Sequence, residues 1–194
     1  MDIEELISIV TLKKIDDNKF EGQNYKTVWG RIFGGQVLSQ SLHAAYQTVP
    51  DDRIAHSMHG YFILPGDLNE TVTYEVDNIR NGGSFTTRRV VAFQKGRAIF
   101  NMAASFQKDE EGYDHQIEKP NVLSPDLLLT DFEQAEKFKD ELAERYQIFL
   151  AAHPKVFDFK PVGTNIFLRK ENALPINHCW FRLKDKIDMP LQFH

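Results

Sequence analysis

The chain has 194 residues, with 23 Lys and Arg against 28 Asp and Glu, for a formal net charge of −5; that is one domain or a domain with part of another, and its acidic balance excludes general nucleic-acid binding. Fifteen Phe, six Tyr and two Trp supply the bulk of a real core and exclude disorder. No stretch of about 18 residues is free of charge, and Met1-Asp2-Ile3-Glu4-Glu5 lacks a basic start, so neither a membrane span nor a signal peptide is predicted.

Residues 3–14 begin with Ile3, Leu6, Ile7 and Val10 at helical spacing, and residues 12–21 read as a hairpin turning at Asp16-Asp17-Asn18. Phe33-Gly34-Gly35 then opens a helix over 34–47. Leu38, Leu42 and Ala45 share one face, Gln36, Gln40, His43 and Gln47 form a polar stripe, and Ser39, Ser41 and Ala44 are small. The pattern predicts a largely buried helix. Four strands follow, over 56–64, 70–79, 84–94 and 97–107, with turns at Pro65-Gly66-Asp67, Asn81-Gly82-Gly83 and Lys95-Gly96. Their alternation and short connections predict an antiparallel meander with one face covered, curled around the helix.

From Lys108 to about residue 127 the chain is polar and reads as a linker. Ser124-Pro125 looks like a cap with proline at the first helical position, and Leu128, Phe132, Ala135, Leu142 and Tyr146 mark an amphipathic helix running to about His153. Two further strands are predicted over 157–168 and 178–184. The single cysteine, Cys179, cannot form an internal disulfide, fits a reducing compartment, and reads as a buried small hydrophobe.

Three clusters carry possible chemistry. Gly34-Gly35 at a helix start leaves main-chain N–H groups open to an anion or a polarised carbonyl. His56-Ser57-Met58-His59 is the densest polar group. Strict alternation puts His56 on one face with Met58 and His59 on the other with Ser57. Arg88 and Arg89 point to opposite faces, so one of them is able to hold a phosphate. No metal-ligand spacing, Walker loop or Gly-x-Ser-x-Gly elbow occurs.

In order, Phe33-Gly34-Gly35-Gln36-Val37, His56-Ser57-Met58-His59-Gly60-Tyr61-Phe62, Pro65-Gly66-Asp67, Gly83-Ser84-Phe85-Thr86-Thr87-Arg88-Arg89-Val90 and Ala103-Ala104-Ser105-Phe106-Gln107 resemble the acyl-CoA thioesterase II (TesB-type) family, as does Trp180-Phe181-Arg182. The resemblance implies an α+β hot-dog fold, a long antiparallel sheet wrapped around a central helix. It also implies hydrolysis of fatty acyl-CoA to fatty acid and coenzyme A with no cofactor, since CoA is part of the substrate. Gly34, Gly35, Gln36, His56, His59 and Arg88 become the substrate-binding candidates. The family's catalytic group, an Asp with a Thr or Ser and a Gln that activate water, belongs to a second hot-dog unit. His194 resembles the His just before that Asp. No catalytic residue is therefore expected within the chain. The expected division is a hot-dog domain over 1–108, a linker and amphipathic helix over 109–155, and the opening strands of an incomplete second unit over 156–194. A cytoplasmic homo-oligomer is expected, because unpaired sheet edges favour self-association. Two alternatives stand beside this reading. One is a non-enzymatic acyl-CoA-binding or assembly module. The other is a hot-dog enoyl-CoA hydratase, with Asp51 or Asp52 paired with His56.

Overall fold

The structure is a computed structural model, and it describes residues 1–27, 30–142, 144, 146–148, 156–163 and 175–187. Two compact units are formed, one over Glu4–Tyr113 and one over Asp114–Ile187 together with the first three residues.

The first unit is one six-stranded antiparallel sheet packed on one long helix. Helix α1 (Ile3–Val10) is followed by strands β1 (Lys13–Asp16) and β2 (Lys19–Gly22), helix α2 (Gly34–Tyr46), and strands β3 (Ile54–Phe62), β4 (Val72–Asn81), β5 (Phe85–Gln94) and β6 (Arg97–Gln107). The sheet order is β1-β2-β4-β5-β6-β3, so β3 leaves the sequential order and lies on the far edge beside β6. The turns follow from their residues. Asn18 takes a positive φ of 56° in the β1–β2 turn, and Lys95 and Gly96 take 50° and 72° between β5 and β6. Two consecutive positive φ values make the tight hairpin whose twist matches the flanking strands.

Alternation sorts the strand residues as the sequence predicts. Val72, Tyr74 and Val76 of β4, Val90 and Ala92 of β5, and Phe100, Met102, Ala104 and Phe106 of β6 are buried, and Ala44 and Ala45 of α2 join them. Small residues on α2 let the helix lie close to the sheet. Burying each large side chain there stabilises the unit by about 1.5–3 kcal/mol.

The polar stripe of α2 is not a wetted face: Gln36, Gln40 and His43 are all buried. Their amides hold the segment between β2 and α2. Gln40 Nε2 donates to the carbonyls of Ile9 (2.6 Å) and Gln23 (2.9 Å), and Tyr74 Oη donates to Gln40 Oε1 at 2.5 Å. Gln36 Oε1 accepts from the Tyr25 N–H at 2.9 Å, and its Nε2 donates to the Gln23 carbonyl and to Asn24 Oδ1, both at 3.1 Å. Asn24 Nδ2 in turn reaches the Leu68 (3.3 Å) and Glu70 (2.5 Å) carbonyls. A backbone segment outside the ladder thus has its polar groups met by side-chain amides. Burial drives the Tyr74 hydroxyl well above its ordinary value and holds His43 below its own.

In the second unit a 3₁₀ turn (Pro125–Leu127) precedes helix α3 (Asp131–Lys137), a second 3₁₀ turn (Lys139–Glu141), and strands β7 (Phe157–Pro161) and β8 (Cys179–Leu183). The predicted amphipathic helix therefore starts later than expected and is interrupted after Lys137, with residues 144 and 146–148 again helical. Ser124 makes no capping bond to a main-chain N–H, whereas Thr130 and Glu133 cap each other's turn reciprocally. That arrangement also holds the Glu133 carboxyl below its ordinary value, because the Thr130 N–H donates to it. At Phe138 the backbone leaves the α region (φ −114°, ψ 28°). The predicted helix over 149–153 and the strand over 164–168 lie outside the described residues. β7 and β8 pair antiparallel, with Phe159 opposite Phe181 and Asp158 opposite Arg182. Cys179, expected to be buried, is exposed. It sits opposite Pro161, at the end of the two-stranded pairing.

Candidate functional site

Helix α2 begins without a side-chain cap, because Phe33 stands at the N-cap with extended backbone (φ −69°, ψ 128°). The first α-helical N–H groups have no intrahelical acceptor, and here they belong to Gly34 and Gly35. Both glycines are half-buried, and phenyl rings stand close to each. A Cβ on Gly34 would sit 3.0 Å from the Phe62 ring, and one on Gly35 would sit 2.4 Å from the Phe33 ring. Phe33 and Phe62 are themselves more than half exposed, and the Phe62 ring packs against Phe100 at 4.8 Å between ring centres, tilted by 44°. The result is two donor N–H groups at the positive end of a helix, flanked by open aromatic surface. Such a place suits a polar carbonyl joined to an apolar chain.

The histidines stand elsewhere. Between Ala55 and Ser57 the β3–β6 register slips by one, with Ala55 opposite Phe106 and Ser57 opposite Ser105. His56 is the extra residue of a β-bulge, which re-aims a side chain. Its Nε2 lies 2.9 Å from Ser105 Oγ, and its ring meets Phe85 edge-on at 5.8 Å. Ser105 alternates with the buried Ala104 and Phe106, so His56 projects from the face of the sheet away from α2. His59, opposite Ala103, stands on that face too and packs against Tyr61 at 4.8 Å. The bulge corrects the strict alternation that separated the two histidines. It also parts them from Gly34 and Gly35, which lie on the other side of the sheet.

Arg88 is 1% exposed. Its Nε donates to Thr48 Oγ1 (2.8 Å). Nη1 donates to the Arg80 and Thr87 carbonyls (both 3.0 Å), and Nη2 to the Thr48 carbonyl and Asn81 Oδ1 (both 2.7 Å). Every nitrogen of the guanidinium is committed to protein oxygen, so its fork is not presented to a phosphate. Burial lowers its pKa. The geometry makes Arg88 a clamp between the end of α2 and the β4–β5 turn. Arg89, on the opposite face as expected, pairs with Asp77 at 2.9 Å. Gln36 is likewise committed, to residues 23–25. It supports the helix start and does not face outward.

Sequence reasoning missed Arg53. It is buried, bonds Thr86 Oγ1 at 3.3 Å, and holds the Gly82 and Gly83 carbonyls at 3.2 and 2.6 Å. Asp52, half of the proposed hydratase pair, is engaged by Arg53 and Lys108 at 3.4 and 3.3 Å. His56 is bonded to Ser105 instead. Asp51, Asp52, Ile54, Lys108 and Asp109 line only an open surface depression of about 300 Å³. Partial burial raises the Cys179 thiol above its ordinary value, which leaves little of the reactive thiolate. Among the described residues no three His, Cys, Asp or Glu cluster to hold a metal, and no helix is long and apolar enough to cross a membrane.

Comparison with known proteins bears on this geometry. Residues 24–107 match the family described as acyl-CoA thioesterase N-terminal domain. Acyl-CoA thioesterase 2 of Haemophilus influenzae is 39% identical over 190 residues, covering 98% of this chain and 66% of that protein. Human acyl-coenzyme A thioesterase 8 is 33% identical over 186 residues, covering 93% of this chain and 58% of its own. The chain thus spans less than two thirds of the length of these relatives. Among solved structures, an acyl-CoA thioesterase II, TesB2, from Mycobacterium marinum superposes with a TM-score of 0.71 at 32% identity, over 95% of this chain and 63% of its own. A hot-dog protein from Alicyclobacillus acidocaldarius gives 0.70 at 17% identity, over 93% and 62%, a likeness of fold alone. By its residues 24–107 the chain belongs to the acyl-CoA thioesterase N-terminal domain family, and its first unit is a hot dog, an antiparallel sheet packed around helix α2.

Proposed function

We propose that the chain serves fatty acyl-CoA hydrolysis by holding the thioester at the start of α2. The observation that carries this is the pair of N–H groups at Gly34 and Gly35, set between the exposed rings of Phe33 and Phe62. A thioester carbonyl accepts from those donors, and the acyl tail lies along the two rings. The names of the relatives support the substrate class. Gln36 and Arg88 keep the helix in place from below and behind. His56 and His59, on the far face, are assigned no contact with the thioester. Water activation is assigned to none of these residues, and no cofactor is required.

The same reading divides the protein into a hot-dog domain over 1–108, a linker with its helix over 109–155, and the start of a second unit over 156–194. It makes the protein a self-associating one, because an unpaired sheet edge is open to a further strand. A reducing, cytoplasmic setting is supported by the single cysteine.

Palmitoyl-CoA tests the reading. The 194-residue chain should bind it, in a titration followed by tryptophan fluorescence or calorimetry, and release CoA slowly. Gly35→Val, which crowds the donor pair, should weaken binding at least about tenfold while the thermal transition is kept. Absence of binding overturns the acyl-CoA reading. Binding without turnover, even after the downstream residues are added, leaves a binding module. Rapid CoA release by residues 1–194 alone places the water-activating group within them and refutes the division of labour.

A further inference from the structure

Gly60 stands in the middle of β3, between residues that carry side chains. Glycine inside a strand weakens it and marks a place where something approaches closely. Here it is a ring. A Cβ on Gly60 would lie 2.7 Å from Cζ and 3.0 Å from Cε2 of Phe100, and 3.1 Å from the Asn101 carbonyl oxygen. The tip of Phe100 therefore fills the space that a side chain at residue 60 needs. The ladder explains the reach. Phe62 is opposite Phe100 and Gly60 is opposite Met102, so Gly60 and Phe100 are diagonal neighbours on the helix side of the sheet. An aromatic ring spans that separation.

Phe100 is the first of two rings. It is 1% exposed, and on its other flank it stands opposite buried Ala92 of β5. Its ring packs against Phe62 with 4.8 Å between centres. Phe62 is 61% exposed, and its Cε1 and Cζ lie 3.0 Å from the position of a Cβ on Gly34. The contacts run in series, from Gly60 through Phe100 and Phe62 to the start of α2. Close-packed side chains transmit a displacement instead of absorbing it. A side chain at residue 60 displaces Phe100, which is enclosed by the core, and the displacement passes to Phe62, the ring with open space beside it.

We propose that Gly60 determines which acyl chains the groove beside α2 admits, by letting Phe100 draw back and so holding Phe62 clear of the donor pair. This rests on the placement of the thioester at Gly34 and Gly35 and adds the selection of the chain. Gly60 itself touches no substrate in this reading. It acts through the two rings, and its bare backbone keeps the groove wide enough for a long unbranched tail.

The test compares palmitoyl-CoA with acetyl-CoA, which presents the same thioester and CoA with a single methyl as its tail. Both are titrated by calorimetry against the unaltered chain, Gly60→Ala, Phe100→Leu and the double variant Gly60→Ala/Phe100→Leu, with thermal unfolding followed for each. Gly60→Ala should weaken palmitoyl-CoA at least about tenfold and acetyl-CoA less than about threefold. In the double variant the shorter leucine frees the space again, and palmitoyl-CoA binding should return to within about threefold of the unaltered chain. Phe100→Leu alone lets Phe62 sink away from Gly34, and should raise the affinity for a methyl-branched acyl-CoA relative to palmitoyl-CoA at least about threefold. That variant decides the matter if Gly60→Ala does not fold, and an unchanged ratio there overturns the inference. Equal weakening of both ligands by Gly60→Ala, no weakening, or no rescue in the double variant also overturns it, and leaves the thioester site standing. Failure of the unaltered chain to bind palmitoyl-CoA overturns the thioester site and this inference together.

Discussion

Replacing Arg88 by Met separates a clamp from a substrate ligand. The guanidinium makes five hydrogen bonds at 2.7–3.0 Å, all to uncharged oxygens and none to a carboxylate. A bond from a charged donor contributes about 1.5–3 kcal/mol when its partner is left buried. Here Arg80 and Asn81 are exposed residues, and water can reach part of what the arginine releases. Methionine also removes the cost of burying a charge that has no counter-ion. Counting the Thr48 carbonyl and hydroxyl at about 1.5 kcal/mol each and the other three at about half a kcal/mol each gives about 4.5 kcal/mol, and relief of the buried charge offsets about 1–2 kcal/mol of it, for a net loss of about 3 kcal/mol. That is a large share of the roughly 5–15 kcal/mol typical of a domain. Urea unfolding followed by circular dichroism measures it. Arg88→Lys should recover at most part of the loss, because one ammonium does not span Thr48, Arg80 and Asn81 at once. If Arg88→Met costs less than about 1 kcal/mol while palmitoyl-CoA binding collapses, the arginine holds substrate and the clamp assignment is wrong.

Burial lowers the pKa of His43, so the folded unit keeps it neutral while the unfolded chain takes up a proton near the ordinary value of about 6.5. Between the two values the unfolded state holds more protons. Stability therefore falls as pH drops through about 6.5 and levels off below the folded value. His43→Gln should flatten this part of the urea-midpoint profile, and an unchanged slope would assign the acid sensitivity elsewhere. Tyr74→Phe leaves Gln40 Oε1 with only the Gln36 amide at 3.3 Å. It should cost about 1–2 kcal/mol, and the loss should vanish in a Gln40→Leu background. Persistence of the full loss there would show that the hydroxyl acts through something other than Gln40.

The helix and the meander were legible because their signals are local. Leu38, Leu42 and Ala45 mark one helical face, and burial alternates over 72–77 of β4, along β5, and from Phe100 to the end of β6. What escaped was set by tertiary placement. A bulge has no reliable mark in the residues that make it, so period-two reasoning sent His56 to the wrong side. Arg88 reads as a ligand for a phosphate until the end of α2 and the β4–β5 turn are brought around it. The amides of Gln36 and Gln40 read as a polar stripe because nothing local reveals the segment at 23–25 that crosses them. One signal was present and passed over: Thr130-Asp131-Phe132-Glu133 has the spacing of a capping box, and it fixes the start of α3 six residues past the Ser124-Pro125 pair. For the candidate site, the glycine pair was readable, whereas its neighbours Phe33 and Phe62 emerged only from the fold.

The slip at His56 also governs which changes in chain length the edge strand can absorb. Removing one residue elsewhere in β3 exchanges the two faces for everything on one side of the gap, sending Met58 and Phe62 outward or Ala55 away from Phe106. Removing His56 does neither. Ala55 and Ser57 already face neighbouring residues of β6, Phe106 and Ser105, so excising the residue between them leaves a regular ladder with both flanks in place. The strand thus has one position where a codon can be gained or lost without inverting its sides, and that position carries the histidine bonded to Ser105.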